Sequence, residues 1–202
     1  MQAYLIVLPK QGNDLHGTLF NALRQAGIKD FLPENPDRKS IVFHANGKHI
    51  IARINGVLEN SPIPMISETL NVNEGDRIRG VVTLSRDRKV LIAPKDRAAL
   101  IEKLGRLLKT NENHKYIRMT DDDLNEYIPY LFAKAGLVDV QFKPSESALN
   151  HQRLTKRNKS FKTVDINFEA KIADLGAFEQ AWIKGIGQSK TYGFGMIRAV
   201  VI

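Results

Sequence analysis

Gly185-Ile186-Gly187-Gln188-Ser189-Lys190-Thr191-Tyr192-Gly193-Phe194-Gly195-Met196 runs into Ile197-Arg198-Ala199-Val200-Val201-Ile202. Four glycines in eleven positions, with a lysine and two aromatics among them, separate a helical segment from a strand-forming one. Glycine lets the backbone adopt positive φ and approach a ligand with no side chain between. A loop of this kind, leaving a helix and re-entering a sheet, can present amides to a phosphate-rich polymer. A plain helix cap and turn accounts for one or two glycines but poorly for four. Two better-known glycine motifs do not fit. A nucleotide-binding P-loop needs glycine before its lysine and a helix after it, whereas Ser189 precedes Lys190 and the residues beyond read as strand. A dinucleotide fingerprint needs a third glycine where Lys190 or Arg198 stands.

Working back from this loop, Asp174 caps a helix that runs through Lys184, with Phe178 and Trp182 at i and i+4. Residues 161–170 alternate as a strand, and 137–142 form the strand before it, the two separated by a long basic excursion over 143–158. Thr120 opens a helix with Asp121, Asp122 and Asp123 in its first turn, where the macrodipole favours them. That helix carries Leu124, Tyr127, Ile128, Leu131 and Phe132 inward and stops at Gly136. A helix over 96–109 and a polar joint over 110–115 precede it, and Pro94 marks the expected division of the chain into domains 1–93 and 94–202.

In the first half, 3–8 reads as a strand buried on both faces, and Gly12-Asn13-Asp14 as a turn and N-cap. Leu15, Leu19, Ala22, Leu23 and Ala26 follow at helical spacing before Gly27. Strands over 40–45 and 49–54 flank Asn46-Gly47, a strong hairpin signal. Ser61-Pro62-Ile63-Pro64 breaks the chain before a short apolar segment, 65–70, and a helix is expected between 61 and 75. Strands over 76–84 and 89–93 surround Arg86-Asp87-Arg88. The order strand–helix–strand–strand–helix–strand, repeated twice, predicts an α+β fold of two tandem ferredoxin-like (RRM-like) domains. No repeat is visible in the sequence itself.

The 202 residues suit one large domain or two of roughly 100 residues each. No run approaches the roughly 18 apolar residues of a membrane span. Met1-Gln2-Ala3-Tyr4-Leu5-Ile6 lacks a basic n-region, so the start reads as a strand and no signal peptide. Zero cysteines exclude disulfides, cysteine nucleophiles and thiolate metal sites, and fit a cytoplasmic address. The net charge of +8 favours a polyanionic partner, most simply nucleic acid. Lys143, Arg153, Lys156, Arg157, Lys159 and Lys162 face a single acid, Glu146, with His151 beside them. A solvated loop is the competing reading of that run.

Among the five histidines, His44 and His49 straddle the Asn46-Gly47 turn and have no obvious third ligand, so no metal site is expected. His114 lies in the polar joint. His16 occupies the first turn of a helix directly after a strand. The positive helix end favours its neutral imidazole, able to accept a proton, although an ordinary exposed histidine fits the position too.

Leu15-His16-Gly17-Thr18-Leu19-Phe20-Asn21-Ala22-Leu23, the basic segment before Phe161, and the terminal Gly-Ile-Gly…Lys190…Tyr192-Gly193-Phe194-Gly195 together resemble CRISPR repeat-RNA processing endoribonucleases of the RAMP superfamily. The chain looks most like the CasE branch of type I-E systems, which has relatives in type IV. The resemblance implies a cofactor-free, metal-independent cut in the repeat of a precursor RNA, at the base of a stem-loop. The ribose 2′-OH attacks the adjacent phosphate, leaving a 2′,3′-cyclic phosphate and a 5′-OH. It implies that the product RNA is retained and that the protein joins the other subunits of a CRISPR effector complex, with no membrane partner.

Such chemistry needs a base near the 2′-OH, an acid near the leaving oxygen and cations for the developing charge. By matching position His16 is the catalytic histidine. Some members place a tyrosine one helical turn earlier, where this chain has Asn13, so Tyr192 stands in for the second proton-transfer group. Lys156, Arg157 and Lys159 are expected to stabilise charge, and Lys190 to hold a phosphate. A stem is read through backbone and shape, so Arg153, Lys156, Arg157, Lys159 and Lys162 are expected to track its phosphates. The glycines Gly185, Gly187, Gly193 and Gly195 bring backbone to the RNA, and Phe194 or Tyr192 stacks on an unpaired base, although Phe194 fits a core role equally well. A non-catalytic structural subunit of the same complexes and a generic RNA-binding adaptor are the competing readings.

Overall fold

The computed structural model describes residues 1–12, 14–37, 39–56, 61–104, 114–146 and 162–202. The first sheet is built from β1 (Gln2–Pro9), β2 (Ile41–Asn46), β3 (His49–Ile54) and β4 (Met65–Thr69), in the order β2-β3-β1-β4. The helix α1 (Leu15–Gln25) links β1 to β2. The Asn46-Gly47 turn closes the expected hairpin, with Asn46 opposite His49. β1 is not buried on both faces: Ala3 and Ile6 are buried, whereas Val7 is 38% exposed, because the outer face of the sheet is open at that end.

The helix expected between 61 and 75 is replaced by β4, which pairs antiparallel with β1 so that Glu68 stands opposite Ala3. Met65-Ile66-Ser67-Glu68-Thr69 is too short for a helix that buries a stripe. As an edge strand it hands its one acid to a partner, described below.

The second sheet contains β5 (Arg77–Ser85) and, after an insertion, completes the full strand–helix–strand–strand–helix–strand order. The insertion is β6 (Asp87–Leu91), α2 (Pro94–Leu104) and β7 (His114–Arg118), with β6 and β7 forming their own two-stranded ribbon. Then come α3 (Asp121–Lys134), β8 (Leu137–Glu146), β9 (Thr163–Ile172), α4 (Leu175–Lys184) and β10 (Arg198–Val201). The order β10-β5-β9-β8 is that of a ferredoxin-like sheet, with its first strand in the middle between the last and the third.

The chain therefore changes sheets between Thr69 and Arg77, and Pro94 lies inside the second unit's insertion. The expected division at Pro94 does not coincide with that change. Residues 114 and 115 of the expected polar joint belong to β7, and 105–109 of the expected helix lie outside the described residues.

The helix ends follow the sequence. Thr120 Oγ1 accepts from the Asp123 amide at 3.1 Å while Asp123 accepts from the Thr120 amide at 2.8 Å, a reciprocal capping box. Every second residue of β9, from Val164 through Ile172, turns into a core shared with Ile78 and Val82 of β5, Leu124, Ile128 and Phe132 of α3, and Phe178 and Trp182 of α4. A separate core gathers Ile6, Leu15, Leu19, Leu23, Phe43, Ile50 and Ala52.

Arg53 of β3 joins the two units and is fully buried. Its Nε and Nη2 donate to Glu68 at 2.6 and 2.8 Å, and its Nη1 donates to the carbonyls of Trp182 and Ile197 at 2.8 and 2.9 Å. The guanidinium lies 4.2 Å from the Trp182 ring centroid. No helix among the described residues is long and apolar enough to cross a membrane.

Candidate functional site

The site begins at the first turn of α1. Asp14 accepts from the Gly17 amide at 2.8 Å and caps the helix as expected. A Cβ on Gly17 would meet that carboxylate, which would have to turn aside to make room for it. Leu15 and Leu19 are driven fully into the first core, which leaves His16 on the flank of the helix, half exposed. Its ring packs 4.4 Å from Phe20, one turn on.

The glycine loop reaches α1 from the other unit. Beyond α4 the chain turns at Gly185, makes a 3-10 turn over Lys190–Tyr192 and enters β10. Its closure is internal. The Ile186 amide donates to Gly195 O at 2.9 Å, Gly195 to Thr83 O at 2.8 Å, Tyr192 to Ser189 O at 2.9 Å and Gly193 to Lys190 O at 3.1 Å. Gly185 (φ +71) and Gly195 (φ +88) face each other: a Cβ on the first would lie 2.9 Å from Gly195 O, and one on the second would overlap the Ile186 carbonyl.

The Ile186, Tyr192 and Gly193 amides are spent within the loop and that of Gly195 on β5, so the amides of Gly193 and Gly195 are already engaged inside the protein. Gly193 is required for a different contact, since a Cβ there would sit 2.9 Å from the Phe43 ring. Gly187 abuts Leu84, whose Cδ2 would lie a tight 3.2 Å from a Cβ there.

Of the two roles open to Phe194, the structure shows the core one. Its side chain is fully buried in the core that holds Leu15, Leu19 and Phe43, so it pins the loop to the first unit and offers no face to a base. Tyr192 is half buried against the same core.

The consequence is a cleft of about 250 Å³ at the junction of the two units. His16 and Phe20 come from α1, Phe31, Lys39 and Ser40 from the segment leading into β2, and Ile41 and Phe43 from β2 itself. Lys184, Lys190 and Thr191 come from the end of α4 and its loop. Of the residues the sequence singled out, His16 and Lys190 meet here, and Thr191 lines the cleft in place of its neighbour Tyr192. Lys190 Nζ lies 3.4 Å from Gly185 O. Partial burial pushes its ammonium below the ordinary lysine range, and the nearby charge of Lys184 adds to the effect. Lys39 pairs with Asp30 at 2.9 Å.

Lys39, Ser40, Lys184 and Thr191 are the polar lining residues that sequence reasoning missed. Lys184 carried a signal as the cation in the last turn of a helix. The others had none, because only the fold brings positions 39–43 beside 184–191.

Lys162 lies elsewhere. It borders a depression with Arg86, Asp121 and Glu146, and does not line the cleft of His16. Asn13, Arg153, Lys156, Arg157 and Lys159 lie outside the described residues. Among the described residues no three His, Asp or Glu side chains come together to hold a metal ion. Behind the cleft, His44 is buried, and its imidazole is pulled down to about 4 by burial and by the charge of Arg198. A half-exposed imidazole beside several ammonium groups suits proton transfer at an anionic substrate.

No protein-family model matches the sequence, and no curated protein does. Solved structures do match the fold. Cse3 of Thermus thermophilus, bound to an RNA representing a pre-cleavage complex, is 12% identical with a TM-score of 0.63, covering 99% of this chain and 100% of that one. The CRISPR-associated protein Cas6e from Escherichia coli K-12 is 16% identical with a TM-score of 0.60, covering 100% and 99%. A chain of a CRISPR RNA-guided surveillance complex is 18% identical with a TM-score of 0.58, covering 98% and 100%. Across its whole length, the chain has the tandem ferredoxin-like fold of these CRISPR-associated structures.

Proposed function

We propose that this protein is a CasE-type endoribonuclease that cuts CRISPR repeat RNA at the base of a stem-loop without a metal and keeps its product within an effector complex. The observation that carries the reading is the meeting of His16 and Lys190 in one cleft, made by two units that overlay end to end on an RNA-bound Cse3 structure. The surveillance-complex likeness supports a ribonucleoprotein assembly as the partner.

In this mechanism the 2′-oxygen forms a bond to phosphorus as its proton passes to a base, and the bond to the 5′-oxygen breaks as that oxygen gains a proton. His16 serves one of these transfers, with the Asp14 cap fixing the turn that carries it. Lys190 is better placed than Tyr192 for the other, since it lines the same cleft and its lowered proton affinity makes it the stronger donor. Lys184 offsets charge on the phosphate, and Arg153, Lys156, Arg157, Lys159 and Lys162 supply the cationic track for the stem.

The test is incubation of a repeat hairpin RNA with the protein in excess EDTA, followed by end-group analysis. A single cut leaving a 2′,3′-cyclic phosphate and a 5′-OH is expected. Tight binding with no cut supports a structural RNA-binding subunit instead.

A further inference from the structure

Resting on that nuclease reading, we infer that Gln188 is a positioning residue: it latches the tip of the glycine loop to the β6–β7 ribbon and so holds Lys190 at the cleft of His16. The Lys89 amide of β6 donates to Gln188 Oε1 at 2.9 Å, across 99 positions of sequence. Lys89 stands opposite Tyr116 in the middle of the ribbon. The ribbon is itself well fastened. Arg118 pairs with Asp87 across it at 3.0 Å, and at its base the amide of the buried Met119 donates to Arg86 O at 2.8 Å.

The loop tip requires such a post because its backbone is strained. Ser189 sits at φ +62 and ψ +28, in the left-handed region, although it carries a Cβ. That conformation is disfavoured about 5- to 30-fold for a residue other than glycine, and the Ser189 side chain makes no capping bond that would offset it. Strain of this kind persists only where the surroundings over-determine it. Two contacts do so here. The Tyr192 amide holds Ser189 O at 2.9 Å from one side, and Gln188 holds the ribbon from the other. Lys190 is the next residue and begins the 3-10 turn, so a change of φ at Ser189 redirects its side chain. An amide suits the latch better than a carboxylate would. Its oxygen accepts the bond with no charge to draw Lys190 away from a phosphate.

Two experiments test this, both built on Gln188→Met, which keeps the length of the side chain and removes the acceptor. The first needs no RNA and follows amide hydrogen exchange by NMR. The Lys89 amide should exchange about 3- to 10-fold faster, the worth of one neutral hydrogen bond. The Tyr192 and Gly193 amides, which close the turn without touching Gln188, should follow it. Adding Ser189→Gly removes the strain, so these two should regain protection while Lys89 does not. Unchanged exchange at Tyr192 and Gly193 in Gln188→Met overturns the latch whether or not the protein cuts RNA.

The second measures single-turnover cleavage of a repeat hairpin. Gln188→Met should slow it about 3- to 10-fold, with hairpin affinity and melting temperature nearly unchanged, and Ser189→Gly should restore most of the loss. In a Lys190→Ala background Gln188→Met should slow cleavage no further, because it acts through that lysine, whereas a general loosening would add its full cost. Full additivity, or equal cleavage by Gln188→Met and wild type, overturns the positioning role and leaves the nuclease standing. Failure of the wild type to cut removes the nuclease reading instead, and the exchange data then decide the latch alone.

Discussion

Replacing Arg53 by methionine removes a side chain that ties both ends of the glycine loop to the first unit. The Arg53 guanidinium is fully buried and donates to the carbonyl of Trp182, in the last turn of α4, and to that of Ile197, just before β10. Arg53→Met leaves these two carbonyls without their donor and Glu68 without its partner. Breaking a buried pair by removing one member costs about 3–5 kcal/mol. Glu68 keeps 27% side-chain exposure and can regain water, which places this case at about 3 kcal/mol. For a chain of this size each kcal/mol moves the melting temperature by about 2–4 °C, so a fall of about 6–12 °C is expected by circular dichroism.

Arg53→Lys keeps the charge, but a single ammonium cannot span Glu68 and two carbonyls at these angles, so it should recover only part of the loss. Cleavage by Arg53→Met should also drop at temperatures where the protein is folded, because the loop carrying Lys190 has lost both anchors. A melting temperature within about 2 °C of wild type would refute the reasoning, since it would mean that water replaces the guanidinium at no cost.

Three further outcomes follow from the same geometry. His44 has its folded pKa depressed from 6.5 to about 4, so the native state resists its protonation while the unfolded chain accepts it. Stability is therefore full above pH 6.5 and falls as the pH drops towards 4, by up to about 3 kcal/mol, in urea titrations; His44→Phe should flatten that part of the profile. Lys190→Ala should lower single-turnover cleavage about 10- to 150-fold, the loss of one charge-assisted contact, with a far smaller effect on hairpin affinity and melting temperature. Gly195→Ala forces a Cβ into the Ile186 carbonyl at a φ of +88 and should cost more than about 2 kcal/mol by urea midpoint, or prevent soluble expression.

Much of the second unit was legible in the sequence, because its signals are local. Thr120 with Asp123, Asp174 before an apolar stripe, and the alternation of β9 each specify an element without help from the rest of the chain. β4 was not legible, since Met65-Ile66-Ser67-Glu68-Thr69 acquires its meaning only from β1 beside it and from Arg53, fifteen residues away from Glu68. β7, with four titratable residues in His114-Lys115-Tyr116-Ile117-Arg118, is a strand because β6 pairs with it. The glycine loop was rightly located but misread in part. Positive φ and close approach are real at Gly185 and Gly195, yet the backbone they approach is the loop's own, that of Gly195 for the first and of Ile186 for the second. His16 stood out by its place at a helix start, whereas Lys39 and Lys184 lie 145 positions apart and reveal themselves as neighbours only once the two units close on one another.

The most direct test of the account compares wild type with His16→Ala on a cognate repeat hairpin in excess EDTA, measuring cleavage and binding side by side. The account predicts a cut by the wild type that is lost by at least about a hundredfold in the variant, the scale of one general acid or base, while hairpin affinity persists. A cut that survives His16→Ala undiminished would contradict the assignment of the reaction to this cleft.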